Sequence, residues 1–230
     1  MDESDDHGGE PPCFEHLIAG GESVDPQIAR DVARFRKAER VRLLAGREMA
    51  VEDRKIGTDI LIGGLDSIVA PGPGMRIAAY WPIRGEPDLR RWMVSAHERG
   101  AQILLPVVVR KNQPLEFHEW TPGCKMERGV WNILVPTSGT KLVPDTVIAP
   151  LVGVDKACFR LGNGGGYYDR TLAAMQPHPR TIGIGFAGCR LKTIFPMPWD
   201  VPMDEVLLSD RTRLSHQAHN YAAASPRTTT

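Results

Sequence analysis

The chain has 230 residues, of which 42% are apolar, and this is enough for one well-buried core. Its 28 basic residues balance its 28 acidic residues, so no overall field favours nucleic acid or an anionic membrane surface. No run approaches the roughly 20 consecutive apolar residues that span a bilayer. We therefore predict a soluble, single-domain protein with neither nucleic acid nor membrane as a partner.

The cysteines and the two ends of the chain set further expectations. The four cysteines lie far apart without a C-x-x-C pair, and the first residues lack a secretory signal, which predicts a reducing cytoplasm. Residues 1–24 are rich in acid, Gly and Pro, and residues 212–230 are rich in Ser, Thr and Ala. Both are predicted to be disordered, leaving residues 25–211 as the folded domain. A monomer or a small homo-oligomer is expected.

The first predicted helix begins at Asp25, which can cap free N–H groups, and Pro26 suits the first helical position. It runs through Ala45 and carries six basic residues: Arg30, Arg34, Arg36, Lys37, Arg40 and Arg42. A second helix is predicted over 54–69, before two prolines that forbid its continuation.

Beyond this point short apolar runs alternate with helical patterns. The predicted strands are 76–81, 102–109, 115–120, 146–152 and 181–186, and the predicted helices are 87–98 and 167–175. This alternation predicts an α/β fold, a three-layer α/β/α Rossmann-like sheet with helices on both faces.

The most informative segment follows the strand at 146–152 and reads Arg160-Leu-Gly-Asn-Gly-Gly-Gly-Tyr-Tyr-Asp-Arg170. Its glycines permit positive φ and a close approach to a ligand, and the next helix offers free N–H groups at its positive end. The segment matches neither a Walker A loop nor the G-x-G-x-x-G register, which disfavours nicotinamide. It predicts a nucleotide phosphate site.

Several residues at this segment have two readings. Asp169 either caps the helix or holds Mg²⁺, and Arg160 and Arg170 either clamp phosphate or lie solvated at the surface. Asp155 is more typical of an Asx-turn than of a ligand contact. The glycines themselves either contact the ligand or form a tight turn that binds none.

The segment Arg160–Asp169 resembles the 5-formyltetrahydrofolate cyclo-ligase family, also called methenyltetrahydrofolate synthetases, whose hallmark is R-L-G-x-G-x-G-[YF]-Y-D. Three more segments resemble this family in the same order: 79–88, 131–136 and 200–207. The resemblance covers about residues 28–210. The chain departs from it at Asn163 and Gly165, where the family often carries a cation, and around Asp88 and Ser209.

The resemblance implies a set of site residues. ATP would be bound by Arg30 and Arg34, at i, i+4 on one helix face, and by Arg160, Leu161, Gly162, Asn163, Gly164, Gly165, Gly166, Tyr167, Tyr168 and Asp169. Folate would be bound by Tyr80, Glu86, Trp131, Asn132 and Tyr168, although core packing is an equal reading for Trp131. Catalysis would rest on Arg160, Asp169 and Tyr168, with Asp169 as the Mg²⁺ ligand. Arg36, Lys37 and Arg42 are expected to form a solvated face, and His97, His118 and Cys158 to be structural.

The resemblance also implies a reaction, the ATP-dependent cyclisation of 5-formyltetrahydrofolate to 5,10-methenyltetrahydrofolate with release of ADP and phosphate. The formyl oxygen would attack the γ-phosphoryl group to give a phosphorylated imidate, so no enzyme nucleophile is needed. Two alternatives stay open. One is a sugar-phosphate or acyl-CoA-handling protein, and the other is a non-catalytic nucleotide- or folate-binding module.

Overall fold

The computed structural model describes residues 24–137 and 139–216. The α-helices are α1 (Pro26–Ala45), α2 (Val51–Val69), α3 (Arg90–Glu98) and α4 (Tyr167–Ala174). The strands are β1 (Arg76–Ala78), β2 (Gln102–Val107), β3 (Glu116–Trp120), β4 (Met126–Arg128), β5 (Leu134–Pro136), β6 (Thr146–Pro150), β7 (Gly153–Val154), β8 (Arg160–Leu161), β9 (Arg180–Gly185), β10 (Glu205–Leu208) and β11 (Arg213–Ser215). Short 3₁₀ turns occupy Val130–Asn132 and Ala187–Cys189.

Seven strands form the central sheet in the order β11-β10-β9-β6-β1-β2-β3. The strands from β10 to β2 run parallel, and β3 and β11 pair antiparallel at the two edges. The chain passes from β1 to β2 on one side and later returns as β6 on the other side of β1. This reversal is a topological switch point, where parallel α/β sheets place their ligands beyond the carboxyl ends of the strands.

Side chains alternate between two buried layers along the strands, as the pleat requires. Ile77 of β1 packs with residues of α2 and α3, whereas Ala78 joins a second cluster that contains Leu172 of α4. A smaller third cluster joins the end of α1 to the segment that follows β6: Leu43, Val152, Leu161 and Ile194. The predicted α/β/α arrangement with helices on both faces is confirmed.

Most predicted elements form, with shifted ends. Asp25 caps α1 by accepting from the Gln27 N–H over 2.6 Å. The second helix begins at Val51 rather than at 54, and two acids in its first turn stabilise that start. The third helix begins at Arg90 rather than at 87.

The predicted domain boundary at 211 is wrong, because β11 (Arg213–Ser215) pairs with β10 and extends the sheet. Composition missed this strand since it is short, polar and at an edge. The predicted leader, apart from its last residue, and residues 217–230 of the predicted tail lie outside the described residues. No helix in the described part of the chain is long and apolar enough to cross a membrane.

Candidate active site

Two segments that are distant in sequence meet at the switch point. The chain that leaves β1 carries Tyr80 and Glu86, and the chain that leaves β6 forms the β7–β8 hairpin and then the glycine turn, residues 162–166. Asn163 in the turn donates from Nδ2 to Oε1 of Glu86 over 3.4 Å. One residue predicted for folate, Glu86, and one predicted for ATP, Asn163, therefore meet in the crevice that the switch point forms.

The glycine turn requires its glycines for two different reasons. Gly164 and Gly166 have φ of +105° and +61°, values that side chains rarely tolerate. At Gly162 a Cβ would lie 2.2 Å from Nη1 of Arg160, so the guanidinium occupies the space that a side chain would need. Gly166 leads directly into α4, whose first N–H groups face the turn.

Arg160 and Asp169 form a buried ion pair across the turn. Nη2 of Arg160 lies 3.1 Å from Oδ2 of Asp169, and the two side chains are 5% and 11% exposed. The other carboxylate oxygen accepts from the Val201 N–H over 3.4 Å. Within the described residues no group of three or more His, Cys, Asp or Glu could hold a metal ion. In the structure Asp169 pairs with Arg160, and its role as a Mg²⁺ ligand stays a prediction.

Two polar atoms beside this pair are enclosed without a hydrogen-bond partner, Oη of Tyr168 and Nε of Arg160. The Arg160 guanidinium lies 4.9 Å from the centroid of the Tyr168 ring. Burial raises the pKa of Tyr168 far above its usual value, so its hydroxyl keeps its proton and can donate. Unpaired buried donors cost free energy, and a ligand oxygen that reached either atom would remove that cost.

Arg40 is the cation of α1 that reaches the turn. Its Nε donates to the carbonyl of Gly162 over 2.8 Å, and no ion pair joins it to a carboxylate among the residues described. Burial, followed by the neighbouring Arg36 and Arg160, lowers the pKa of Arg40 to about 10. The sequence showed the basic helix but assigned Arg40 no function.

Arg30 and Arg34 are not brought to the turn. Both are exposed, and their hydrogen bonds stay on α1 itself, to Gln27 and Asp31 respectively.

At the loop after β1, Glu86 is buried and accepts from the Ile83 N–H over 3.1 Å. Burial raises the pKa of Glu86, and the nearby Arg47 offsets this in part. Tyr80 is also buried and donates its hydroxyl to the Pro87 carbonyl over 2.9 Å, so it supports the loop that carries Glu86.

Arg47, which the sequence did not single out, connects the loop after β1 to the segment after β6. It is buried and donates to the carbonyl of Arg84, in the loop after β1, and to that of Leu151, just after β6. Its position beyond the end of α1 carries no pattern that could have revealed this role.

Trp131 lies at the protein surface, so the prediction that it packs in the core is wrong. It is 62% exposed, and both it and Asn132 have positive φ, of +54° and +62°. The indole meets the Tyr167 ring edge to face with centroids 5.2 Å apart. The Arg170 guanidinium lies 5.0 Å from the centroid of the same tyrosine ring. This aromatic pair, of which Trp131 is exposed and Tyr167 half-buried, borders the start of α4.

The sequence model of the 5-formyltetrahydrofolate cyclo-ligase family matches residues 33–209. The chain belongs to this family. The cyclo-ligase of Mycolicibacterium smegmatis is 30% identical over 146 residues, covering 60% of this chain and 75% of that protein. The cyclo-ligase of Escherichia coli K12 is 31% identical over 139 residues, covering 57% and 76%.

Two solved structures share the fold of this family member. The methenyltetrahydrofolate synthetase of Aquifex aeolicus has a TM-score of 0.67 at 22% identity, covering 81% of this chain and 98% of that one. The synthetase of Mycoplasma pneumoniae has a TM-score of 0.62, also at 22% identity, covering 74% and 96%. The resemblance found in the motifs is confirmed.

In this cyclo-ligase family member, two further residues are structural. Asp155 accepts from the Ala157 N–H through Oδ1, which forms the predicted Asx-turn, and it also accepts from the N–H groups of Phe159 and Ile194. Cys158 is buried, and burial raises its thiol pKa to about 11, so it is no ready nucleophile. The solvated reading of Arg36 is wrong, since it forms a buried ion pair with Asp200.

Proposed function

We propose that the chain catalyses the ATP-dependent cyclisation of 5-formyltetrahydrofolate to 5,10-methenyltetrahydrofolate, with release of ADP and phosphate. One arrangement carries this proposal. Arg40, a cation without a carboxylate partner among the described residues, lies at a glycine turn, and the same turn contacts the buried carboxyl of Glu86. A subsite for an anion, at Arg40 and the glycine turn, therefore lies beside the Glu86 carboxyl, which can accept hydrogen bonds from ligand N–H groups. The relatives named above as cyclo-ligases support the same activity.

The nucleotide phosphates would lie on the glycine turn. The N–H groups of the turn and of the first turn of α4 can donate to phosphate oxygens, and the α4 dipole favours negative charge there. Arg40 and Arg160 flank Gly162 and would neutralise the phosphates through charge-assisted hydrogen bonds.

Magnesium would enter as the MgATP complex. Mg²⁺ is usually held by one or two carboxylates together with the substrate phosphates. The carboxylate oxygens of Asp169 already accept from Arg160 and from the Val201 N–H, so a bound metal would share them with these donors. We therefore assign the metal chiefly to the nucleotide, and Asp169 to the orientation of Arg160.

Folate would occupy the crevice between the loop after β1 and Trp131. Glu86 would accept N–H groups of the pterin, and the exposed Trp131 with Tyr167 offers an aromatic face for its rings. Tyr80 and Asn132 would support these contacts from the two sides. The formyl group would then lie between the folate subsite and the phosphates.

The reaction would then depend on placing the formyl oxygen in line with the γ-phosphorus and on neutralising the charge of the transferred phosphoryl group. The formyl oxygen attacks the γ-phosphorus, the bond from this phosphorus to the ADP oxygen breaks, and a phosphorylated imidate forms. N-10 attacks the imidate carbon and loses its proton, and the carbon–oxygen bond breaks as phosphate leaves with the electron pair. The Tyr168 hydroxyl and the Arg160 Nε, which have no hydrogen-bond partner in the structure, would donate to the oxygens of the phosphoryl group during its transfer.

The absorbance increase of 5,10-methenyltetrahydrofolate, followed with 5-formyltetrahydrofolate and MgATP, tests the proposal directly. We expect turnover that requires ATP and falls at least tenfold, about 1.4 kcal/mol of transition-state stabilisation, in Arg160→Ala and Asp169→Asn. No turnover by well-folded protein would sink the proposal. Nucleotide or folate binding without turnover would then indicate a non-catalytic module, and ATP-independent turnover of a sugar phosphate or acyl-CoA a different enzyme.

The unpaired state of Cys124, Cys158 and Cys189 agrees with the reducing cytoplasm that the sequence predicts.

A further inference from the structure

The loop after β1 spans residues 79–89, carries Glu86, and has a backbone that its own sequence does not favour. Arg84 and Gly85, just before Glu86, have positive φ, of +47° and +70°. Glycine takes this conformation freely, whereas an arginine keeps it only where surrounding contacts fix the backbone. Arg47 supplies such a contact, because its Nη1 donates to the Arg84 carbonyl over 3.1 Å.

The other side of the Arg47 guanidinium binds a different part of the chain. Its Nη2 donates to the buried carbonyl of Leu151 over 2.5 Å, just beyond β6, which is an interior strand of the central sheet. The planar guanidinium presents its donors as a fork, so one side chain serves two carbonyls on separate segments. Arg47 therefore fixes the loop after β1 to the sheet.

A second arginine supports the same loop. Nη2 of Arg54, on α2, donates to the backbone carbonyl of Arg47 over 2.9 Å. A Cβ on Gly85 would lie 3.7 Å from Cβ of Arg47 and 3.8 Å from the guanidinium carbon of Arg54, so Gly85 lies against both side chains. The loop thus meets the two arginines at the residue before Glu86.

The position of the Glu86 carboxyl is sensitive to this support. Oε2 of Glu86 accepts from the Ile83 N–H of its own loop, and Oε1 accepts from Asn163 of the glycine turn over 3.4 Å. Because 3.4 Å is near the limit for a hydrogen bond, a small movement of the loop away from the turn would break this contact. Without Arg47 the Arg84 and Leu151 carbonyls would lose their donor, and the loop would have to move before water could replace it.

We propose that Arg47 is a positioning residue for the folate subsite, which holds the Glu86 carboxyl at the distance from the glycine turn that the pterin N–H groups require. The inference rests on the proposed function, because that function assigns Glu86 to folate. Arg47 is buried and acts through the loop, so it need not touch either substrate.

Calorimetric binding of 5-formyltetrahydrofolate and of MgATP to Arg47→Met tests this inference. We expect the folate Kd to weaken at least tenfold while the MgATP Kd stays within about twofold. Arg47→Lys keeps the charge but presents a single point donor in place of the fork, and its folate Kd should lie between those of Arg47→Met and the unaltered chain.

A double-variant cycle with Glu86→Ala separates positioning from a general loss of structure. Once the Glu86 carboxyl is gone, Arg47 has no folate contact left to position. The folate Kd of Arg47→Met with Glu86→Ala should therefore lie within about twofold of that of Glu86→Ala alone. If Arg47→Met does not fold, Arg54→Met decides, since it removes only the half-buried support of Arg47 and should weaken the folate Kd about threefold with an unchanged MgATP Kd.

Arg180 provides a matched control, because it also donates from a guanidinium to a distant backbone carbonyl. Its Nη1 donates to the Ile68 carbonyl over 2.8 Å, and it is the first residue of β9, at the amino ends of the parallel strands and so opposite the crevice. Arg180→Met should lower the melting temperature and leave both Kd values within about twofold.

Four results would overturn the inference: an unchanged folate Kd in folded Arg47→Met, or in Arg54→Met where that variant decides, equal losses of folate and MgATP affinity, multiplying losses in the double variant, or an equal loss of folate affinity in Arg180→Met. Folate binding without cyclisation by the unaltered chain would contradict the proposed reaction, while the comparison of folate Kd values would still decide the role of Arg47. Failure of the unaltered chain to bind folate would overturn both.

Discussion

Arg40 donates to the carbonyl oxygen of Gly162 over 2.8 Å, and this bond ties the long first helix to the glycine turn. The guanidinium of Arg160 packs against the other side of the same glycine. Arg160 is neutralised by Asp169, whereas Arg40 pairs with no carboxylate in the described ranges 24–137 and 139–216. Arg40 therefore brings to the turn a positive charge that no ion pair within those ranges offsets.

Arg40→Ala should therefore raise the KM for ATP about tenfold or more, because a partly buried charge-assisted contact to phosphate is lost. Steady-state kinetics with ATP varied at saturating 5-formyltetrahydrofolate measures this effect. Arg42→Ala is the control, since Arg42 is exposed and pairs only with Glu39 one turn earlier. Arg30→Ala and Arg34→Ala should change the KM less than twofold. A larger effect at Arg34 than at Arg40 would contradict this assignment.

The difference between Arg34 and Arg40 shows what the sequence can and cannot predict here. Spacing placed a run of basic residues on one helix from Asp25 to Ala45, and that helix forms as predicted. Which basic residue meets the turn depends on the rotation and depth at which α1 packs on the β6–β8 segment, through contacts such as Leu43 with Val152. Helical periodicity alone does not contain that information.

The backbone of the glycine turn was predictable because local chemistry fixes it, whereas Glu86 was singled out only through the family resemblance. Positive φ at Gly164 and Gly166 requires glycine whatever the tertiary structure. In contrast, Arg47 acts only through the Arg84 and Leu151 carbonyls, which are distant in sequence. The edge strand β11 was missed for a similar reason, since pairing with β10 rather than its own composition stabilises it.

Asp169→Asn should lose activity in a way that added magnesium does not restore. The structure shows its carboxylate bound to Arg160 and to the Val201 N–H, so the substitution removes the charge that orients Arg160. Activity measured over a Mg²⁺ titration at fixed ATP should fall at least tenfold at every concentration, with an unchanged half-saturating Mg²⁺ concentration. A rise of that concentration, with full activity at high Mg²⁺, would show instead that Asp169 binds the metal as the sequence predicts.

Glu86→Gln should stabilise the protein at neutral pH while it weakens folate binding. Burial raises the folded-state pKa of Glu86 above its unfolded value, so the folded protein binds the proton more tightly. The contribution of Glu86 to stability is therefore lost as pH rises through the folded pKa, and a neutral amide avoids that loss.

Thermal unfolding of Glu86→Gln from pH 4 to pH 8 measures this effect. The melting temperature of the variant should exceed that of the unaltered protein at pH 7, and the difference should shrink toward pH 4. The folate KM should rise at least tenfold, about 1.4 kcal/mol. Glu48→Gln, at an exposed position, is the control for both measurements. A lower melting temperature for Glu86→Gln at pH 7 would contradict the sign of the pKa shift.

Trp131→Gly should weaken substrate binding without lowering the stability of the fold. The indole is 62% exposed and its residue has a φ of +54°, a backbone conformation that glycine adopts without strain. The melting temperature should therefore stay the same or rise. The 5-formyltetrahydrofolate Kd should weaken by about 10- to 100-fold, roughly 1.4–2.8 kcal/mol, because an aromatic face that the bound substrate would cover is lost. Val130→Ala, at the adjacent exposed residue, should leave both quantities unchanged. A variant that melts earlier but binds folate normally would show that Trp131 stabilises its loop through the Tyr167 contact and does not bind the substrate.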